Sequence, residues 1–135
     1  MTEEFDTEAF ARFIAELTWD MKALNTVVID LRGRTSYTDF AVITTGTSER
    51  HVQAIAKHTT TQVKVETGIN TYGSEGLDAG RWALIDFGDA ILHVFHSEER
   101  EEYDLERIWS EAGQLELEDM PKDLYGRFEL ERFSD

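Results

Sequence analysis

The first hydrophobic pattern in the chain is an apolar stripe near the N-terminus. Its members recur at the three- and four-residue spacing of one helix face, namely Phe10, Phe13, Ile14, Leu17, Met21 and Leu24. Thr7 can cap this helix, and Glu8 in the first turn complements the helix dipole. The pattern therefore predicts an amphipathic helix that starts after Thr7, ends at Asn25 and buries its apolar stripe in the core.

Two apolar segments with the composition of strands come next. Residues 27–31 are short and β-branched. Residues 40–45 are apolar or threonine at consecutive positions, which favours a strand covered on both faces. The sequence therefore predicts two strands, the second of them fully buried.

A second helix is predicted after a turn at Gly46. Ser48 can cap this helix from Glu49 onward, and Gly68 suits a left-handed position at its C-terminal end. Its buried side is marked by Val52, Ile55, Ala56, Thr59 and Val63. A strand, a helix and a further strand favour a right-handed crossover.

The next segment has the pattern of a loop followed by a hairpin. Residues 71–80 are rich in glycine and short polar residues, so we expect an ordered loop or a sheet edge there. Residues 81–87 and 90–95 have the composition of strands, and Gly88-Asp89 between them suits a hairpin turn.

A last helix is predicted after the hairpin, with Ser97 as its cap, acidic residues in its first turn and Gly113 at its end. Its apolar contacts are expected to be Tyr103, Ile108 and Trp109. The complete order is helix, two strands, helix, three strands and helix. This order predicts a single domain in which about five strands are flanked by helices.

The 135-residue length suits one domain, to which we assign residues 1–113. Residues 114–135 form an acidic tail in which leucines alternate with glutamates and Pro121 interrupts the pattern. Two interpretations of this tail stay open. It is partly disordered, or it docks on the domain through Leu115, Leu117, Leu124 and Tyr125.

The charge of the chain is strongly negative, because 28 acidic and 13 basic residues give a formal net charge of −15. Phosphate backbones repel such a surface, so DNA and RNA are poor candidates for a direct ligand and basic proteins are better ones. An acidic excess can also serve solubility alone, and composition does not decide between these roles.

Cysteine is absent, which excludes disulfides, thiolate nucleophiles and cysteine-ligated metal centres. The N-terminus is acidic and has no basic end followed by an apolar core, and no apolar run approaches membrane length. We therefore expect a soluble, cytoplasmic protein that does not bind a membrane.

One enzymatic alternative is a nucleotidyltransferase that uses a divalent metal. The turn Gly46-Thr47-Ser48 between a strand and a helix is similar to the phosphate-facing turn of such enzymes, because free amides at a helix start attract anions. Asp86 and Asp89 are the nearby carboxylates, but they flank a hairpin turn, and no Asp-x-Asp pair follows the helix. An ordinary helix cap explains the turn better.

The histidines offer no convincing metal or catalytic set. His93 and His96 differ by three positions on a strand, so their imidazoles should project to opposite sides of the sheet. A triad of Ser48, His51 and Asp86 lacks a strained nucleophile turn, and the serine hydroxyl is needed by the helix amides. We therefore predict no catalytic residues, no metal and no cofactor.

Trp82 is the strongest candidate for a protein-binding residue. It begins a strand directly after the loop that contains Tyr72 and Glu75, and aromatic side chains beside an acidic edge are typical of binding hot spots. A core position in a twisted sheet is the alternative for this tryptophan. An acidic rim would steer a basic partner, and its members are Glu75, Asp86, Asp89, Glu98, Glu99 and Glu102.

Several separated motifs over residues 7–109 resemble the Iojap-like ribosomal silencing factors. They are Asp39-Phe40, Gly46-Thr47-Ser48, His51-Val52-Gln53-Ala54-Ile55-Ala56, Glu75-Gly76, Trp82, Asp86 with Gly88-Asp89, His93-Val94-Phe95, Glu99-Arg100, Tyr103-Asp104-Leu105-Glu106 and Trp109. The resemblance implies an α/β domain with a mixed sheet, related in shape to nucleotidyltransferases but without their catalytic carboxylates.

The resemblance also implies a partner. Such a protein would dock on the large ribosomal subunit, on a basic ribosomal protein at the subunit-joining face, and block the small subunit when nutrients run short. It would be a homodimer when free. The partner-binding role passes first to Trp82 and Glu75, and then to Tyr72, Asp86, Asp89, Glu98 and Tyr103. A generic acidic scaffold for another basic protein stays open as a third interpretation.

Overall fold

The computed structural model describes residues 6–117 and 120–124, which form a six-stranded mixed sheet with helices on both faces. The helices are α1 (Thr7–Asp20), α2 (Glu49–Thr67), α3 (Ser97–Tyr103) and α4 (Leu105–Ile108), and a 3-10 turn spans Lys122–Leu124. The strands are β1 (Leu24–Asp30), β2 (Phe40–Gly46), β3 (Gly73–Glu75), β4 (Trp82–Asp86), β5 (Ala90–His96) and β6 (Gln114–Leu115). This architecture confirms the predicted α/β class. Within the described ranges, none of these helices has the length and apolarity to span a bilayer.

The strands lie in the order β3-β4-β5-β2-β1-β6. The central pair, β2 and β5, is parallel, with Phe40 opposite Ala90 at one end and Gly46 opposite His96 at the other. The other neighbouring pairs are antiparallel. Because β2 and β5 run in the same direction, Phe40 and Ala90 mark one end of the sheet, and Gly46 and His96 mark the other.

Helix α1 is shorter than its apolar stripe predicts. Its cap is Asp6 rather than Thr7, because the Asp6 carboxylate accepts a hydrogen bond from the Ala9 amide at 3.0 Å. The helix ends at Asp20, and left-handed backbone at Lys22 and Asn25 turns the chain into β1. The predicted end at Asn25 is therefore wrong. The apolar pattern overestimates the length of the helix because Met21 and Leu24 lie beyond its end but keep the helical spacing and are partly buried.

Helix α2 has the predicted caps. The Ser48 hydroxyl accepts a hydrogen bond from the His51 amide at 3.0 Å, and Gly68 adopts a left-handed φ of 77° at the other end. All five residues predicted for its buried side are buried: Val52, Ile55, Ala56, Thr59 and Val63.

Two apolar layers hold the sheet. The larger lies between the sheet and α1 with α2, and it includes Ile14, Ile55 and Leu92. The smaller lies on the opposite face, where Ile43 and Phe95 are covered by residues of and beside α4. Strand β2 is buried at each of its positions, as its continuous apolar run predicts.

Three buried threonines join α1 to the sheet. The Thr18 hydroxyl donates to the Ala15 carbonyl at 2.6 Å and lies 3.0 Å from the Thr26 hydroxyl, which lies 2.7 Å from that of Thr44. The Thr44 hydroxyl also lies 3.2 Å from the Leu24 carbonyl oxygen, to which it can donate. This chain links the helix to β1 and β2 through the larger core.

The predicted acidic tail begins with a strand of the sheet. Residues Gln114 and Leu115 form β6 opposite Ile29 and Val28 of β1. Leu115 and Leu117 pack against the larger core, and Leu124 is buried. The structure thus buries these three leucines wholly or in part, whereas Tyr125 lies outside the described residues.

Candidate protein-binding surface

Two glycines fix the loop that leads into Trp82. Gly76 has a φ of 78°, and a Cβ there would overlap the carbonyl oxygen of Trp82. Gly80 has a φ of 67°, and a Cβ there would lie 2.6 Å from the carbonyl oxygen of Glu49. Since only glycine fits at either position, the loop lies close against the starts of both β4 and α2. The side-chain amide of Gln53 also donates to the Leu77 carbonyl at 3.0 Å.

Arg81 joins this loop to α3. Its guanidinium donates to Glu98 at 2.6 Å and to Glu99 at 2.7 Å, and it lies 3.5 Å from a carboxylate oxygen of Glu49. Hydrogen bonds from Arg81 lower the pKa of Glu99, and the two α3 carboxylates raise the pKa of Arg81. Glu98, predicted to face a partner, is therefore already paired with a cation of its own chain.

Glu98 and Glu99 lie close enough to His96 for the three residues to form a metal site, but both carboxylates are already paired with Arg81. Donor atoms of His96, Glu98 and Glu99 lie within 4.8 Å of one another. However, the His96 Nδ1 atom accepts a hydrogen bond from the Glu98 amide at 3.2 Å and so caps α3. The predicted cap, Ser97, is instead the first residue of the helix, because the imidazole is already in place to receive that amide.

Arg100 holds the break between α3 and α4 against the sheet. Its guanidinium donates to Glu106 at 2.8 Å, to the Thr45 hydroxyl at 2.8 Å and to the Asn25 carbonyl at 2.9 Å. The two helices meet at Asp104, which has a left-handed φ of 36°. These contacts place Tyr103 and the turn after α4 over the smaller core.

An aromatic cluster lies beneath α3 and α4, formed by Trp82, His93, Phe95, Tyr103 and Trp109. The register places Trp82 opposite Phe95 and Leu84 opposite His93, so that these side chains share one face of the sheet. The Trp82 ring stacks on Phe95 with centroids 4.8 Å apart and meets Tyr103 at the same distance.

The cluster is only partly covered. Trp82 is half-buried, and Tyr103 is 46% exposed. Ile108 of α4 is 68% exposed, although the sequence predicts that it makes an apolar contact. Trp82 therefore packs against the smaller core and is also partly exposed.

His93 lies inside the cluster and is bonded to Trp82. Its Nδ1 atom accepts the indole N–H of Trp82 at 3.2 Å. Burial lowers the pKa of His93 to about 4, so the imidazole is neutral at pH 7. His93 and His96 therefore have separate structural roles.

The other predicted acidic residues lie along the edge of the sheet. Glu75 pairs opposite Leu84, on the face that carries Trp82 and Asp86, and its side chain is exposed. Asp86 accepts a hydrogen bond from the Gly88 amide at 2.8 Å and so supports the hairpin turn. Asp89 is exposed in that turn. Tyr72, 80% exposed, has its ring against Gly88.

The predicted residues thus form two groups, one at each end of β4. Trp82, Tyr103 and Glu98 lie at one end of β4, and Tyr72, Asp86 and Asp89 lie at the other, with Glu75 between them. The four steps along the strand from Trp82 to Asp86 correspond to about 13 Å. We refer to these seven residues together as the acidic-aromatic surface.

The residues of the enzymatic alternative lie apart. The turn after Gly46 is at the His96 end of the sheet, whereas Asp89 contacts Phe40 at the opposite end, about 20 Å away by strand rise. The amides of Thr47 and His51 are taken by protein acceptors, the His51 ring and the Ser48 hydroxyl. The same separation prevents Ser48, His51 and Asp86 from forming a triad.

Two residues that organise this surface were not predicted as part of the site. Arg81 is a single cation directly before Trp82, and Arg100 is a single cation within the acidic segment of α3. Both isolated charges are visible in the sequence. Their partners are not, since the contacts of Arg100 lie 55 and 75 residues away.

Comparison with known proteins gives consistent matches. Residues 4–131 match a family model described as "Ribosomal silencing factor during starvation". Ribosomal silencing factor RsfS of Halalkalibacterium halodurans is 44% identical over 99 residues, which cover 73% of this chain and 84% of that protein. A crystal structure of a Chromobacterium violaceum protein is 31% identical and superposes with a TM-score of 0.75, covering 78% of this chain and 88% of that one.

A more distant mammalian relative also matches. The mouse protein named "Mitochondrial assembly of ribosomal large subunit protein 1" is 34% identical over 104 residues. The match covers 71% of this chain and 46% of the mouse protein. The shared region therefore corresponds to one part of a longer protein in that relative.

Proposed function

This chain belongs to the family of ribosomal silencing factors, and on that premise we propose that it represses translation by binding the large ribosomal subunit. The contact is made with a basic ribosomal protein at the subunit-joining face. The observation that carries the proposal is a half-exposed tryptophan, Trp82, held in a rigid aromatic cluster beside exposed carboxylates.

The charge of the surface suits a basic partner. Glu75 and Asp89 are exposed, and Glu101 and Glu102 of α3 add two more exposed carboxylates near Tyr103. Complementary charge accelerates encounter with a basic protein and disfavours bare RNA, which surrounds any protein site on a ribosome. Glu98 contributes less, because Arg81 already neutralises it.

The aromatic residues supply the affinity. Trp82 is fixed between Phe95 and Tyr103, so binding costs little further side-chain entropy. The exposed parts of Tyr103 and Ile108 extend the apolar area beside it. Hot spots in protein interfaces commonly consist of such a central aromatic anchor with a polar rim.

Repression then follows from occupied volume. A domain bound at the joining face excludes the small subunit without any reaction, so repression depends on affinity and copy number. Nutrient limitation would act by raising the share of large subunits that carry the protein. The name of the mouse relative supports the choice of the large subunit.

In the free state we propose a homodimer in the cytoplasm. The outer edge of β3 is short and exposed, and an unpaired strand edge favours pairing with a second copy. If the dimer covers the acidic-aromatic surface, self-association competes with ribosome docking.

The proposal is tested by co-sedimentation with purified large subunits, small subunits and assembled ribosomes. We expect the protein to pellet with isolated large subunits and to be depleted from the other two fractions. Trp82→Ala should lose this binding, whereas Val65→Ala should keep it, because Val65 is 69% exposed on α2, across the sheet from the surface. Equal pelleting with small subunits, or none with large subunits, would refute the proposal.

A further inference from the structure

We propose that His93 is a positioning residue for partner recognition, which orients the indole of Trp82 by accepting its N–H. This inference rests on the proposed function, in which Trp82 is the anchor of the interface. It assigns a binding role to a residue that is itself 6% exposed.

The geometry places the acceptor where the indole needs it. The Nδ1 atom of His93 is 3.2 Å from the Nε1 atom of Trp82, and the two rings have centroids 6.1 Å apart at an interplanar angle of 39°. His93 is in turn held by its neighbours, since Trp109 meets it edge-on at 6.2 Å and Phe95 lies nearly parallel at 6.3 Å. The acceptor is therefore fixed before a partner arrives.

Stacking alone would leave the orientation of Trp82 undetermined. Contacts with Phe95 and Tyr103 at 4.8 Å stabilise the ring plane but do not distinguish its two edges, because stacking has little directionality within the plane. The indole is a hydrogen-bond donor only, with one N–H. A single acceptor on one side therefore selects which edge of the indole faces the core and which edge faces the partner.

The protonation state of His93 supports this role. Neutral imidazole has one donor and one acceptor nitrogen, and the bond from Trp82 assigns Nδ1 as the acceptor. Burial lowers the pKa of His93 to about 4, so that acceptor is present throughout the physiological range.

The test uses two substitutions at one position. His93→Phe keeps an aromatic ring of similar size but removes the acceptor, whereas His93→Asn places an oxygen near the position of Nδ1. We expect His93→Phe to shift the Trp82 indole N–H resonance and to weaken large-subunit binding on the order of tenfold, the effect of one lost hydrogen bond. His93→Asn should recover most of the affinity and the wild-type resonance.

Two controls separate positioning from general stability. Trp82→Phe identifies the Trp82 resonance among the three tryptophans of the chain. Ile85→Val loosens the larger core on the opposite face of the sheet and should lower the free energy of unfolding without changing affinity. If a folded His93→Phe protein keeps the wild-type resonance or the wild-type affinity, the proposal is wrong.

Failure of the proposed function gives a different result. If Trp82→Ala binds large subunits as the wild type does, Trp82 is not the anchor, and His93 has no partner to position whatever its resonance shows. If His93→Phe does not fold, His93→Asn decides the question. Wild-type affinity in a variant whose Trp82 indole N–H is no longer hydrogen-bonded overturns the proposal. Wild-type affinity in a variant that keeps this hydrogen bond supports it.

Discussion

Replacing Trp82 tests the aromatic anchor of the acidic-aromatic surface. In the folded protein the Trp82 ring contacts Phe95 and Tyr103 at 4.8 Å and donates to His93 at 3.2 Å. Alanine removes all three contacts, whereas phenylalanine keeps the two ring contacts and removes only the hydrogen bond. The pair of variants therefore separates packing from recognition.

The two effects have different expected sizes. Two aromatic pairs at about 0.5–1.5 kcal/mol each and one hydrogen bond at about 1 kcal/mol mean that Trp82→Ala should lower the free energy of unfolding by about 3 kcal/mol and leave the protein folded. Loss of a hot spot costs a further and separate free energy of binding of about 2 kcal/mol or more, which corresponds to roughly a 30-fold rise in Kd. Trp82→Phe should recover most of the stability but only part of the affinity.

Urea unfolding measures the loss in the free energy of unfolding, and titration of labelled protein with large subunits measures the rise in Kd. The measurement should be made well below the unfolding midpoint, so that weak binding cannot be caused by unfolded protein. The reasoning is refuted if folded Trp82→Ala binds with wild-type Kd. It is also refuted if Trp82→Ala loses no more affinity than the core control Ile85→Val.

Three further predictions concern charge and buried polar groups. Burial lowers the pKa of His93 from 6.5 to about 4. Between these two values the unfolded chain binds a proton that the folded chain excludes, so the free energy of unfolding should fall by about 3 kcal/mol from pH 6.5 to pH 4. Urea unfolding of His93→Asn at a series of pH values should lack this fall in stability. If the variant loses as much stability between pH 6.5 and pH 4 as the wild type does, the prediction is wrong. Thr26→Val should lower the free energy of unfolding by about 1–3 kcal/mol, because it leaves Thr18 and Thr44 without their shared partner, and a neutral result in urea unfolding would show that the hydroxyl chain is not formed. Raising the salt concentration should slow association with large subunits in stopped-flow experiments, and an on-rate independent of salt would remove the steering role of Glu75 and Asp89.

The elements predicted well from the sequence are those with local signals. Helix α2 has a serine at its start, a glycine at its end and a regular apolar side, all within one segment. The β4–β5 hairpin has Gly88 in its turn with a φ of 88°. In both cases the residues that determine the structure are neighbours in the chain.

The elements predicted poorly depend on distant contacts. The end of α1 is set by the turn at Lys22 and Asn25 and by the fit of β1 against β2, while its apolar spacing continues unbroken. Strand β6 has two residues among glutamates and exists because β1 offers an open edge. A local pattern carries no information about such partners.

The candidate surface divides in the same way. Trp82, Tyr72 and Glu75 stand out by residue type beside a glycine-rich loop. The roles of Arg81 and Arg100 appear only when α3 is seen against the sheet, since each pairs with acceptors remote in sequence. The hydrogen bond from Trp82 to His93 also needs the register of two strands.

Subunit joining measured by light scattering tests the central claim most directly. Large subunits preincubated with increasing amounts of the protein are mixed with small subunits, and the amplitude and rate of joining are recorded. The account predicts that joining falls in proportion to the occupancy of the large subunit and is restored when Trp82→Ala replaces the wild type. Unchanged joining by large subunits shown to carry the protein would contradict it.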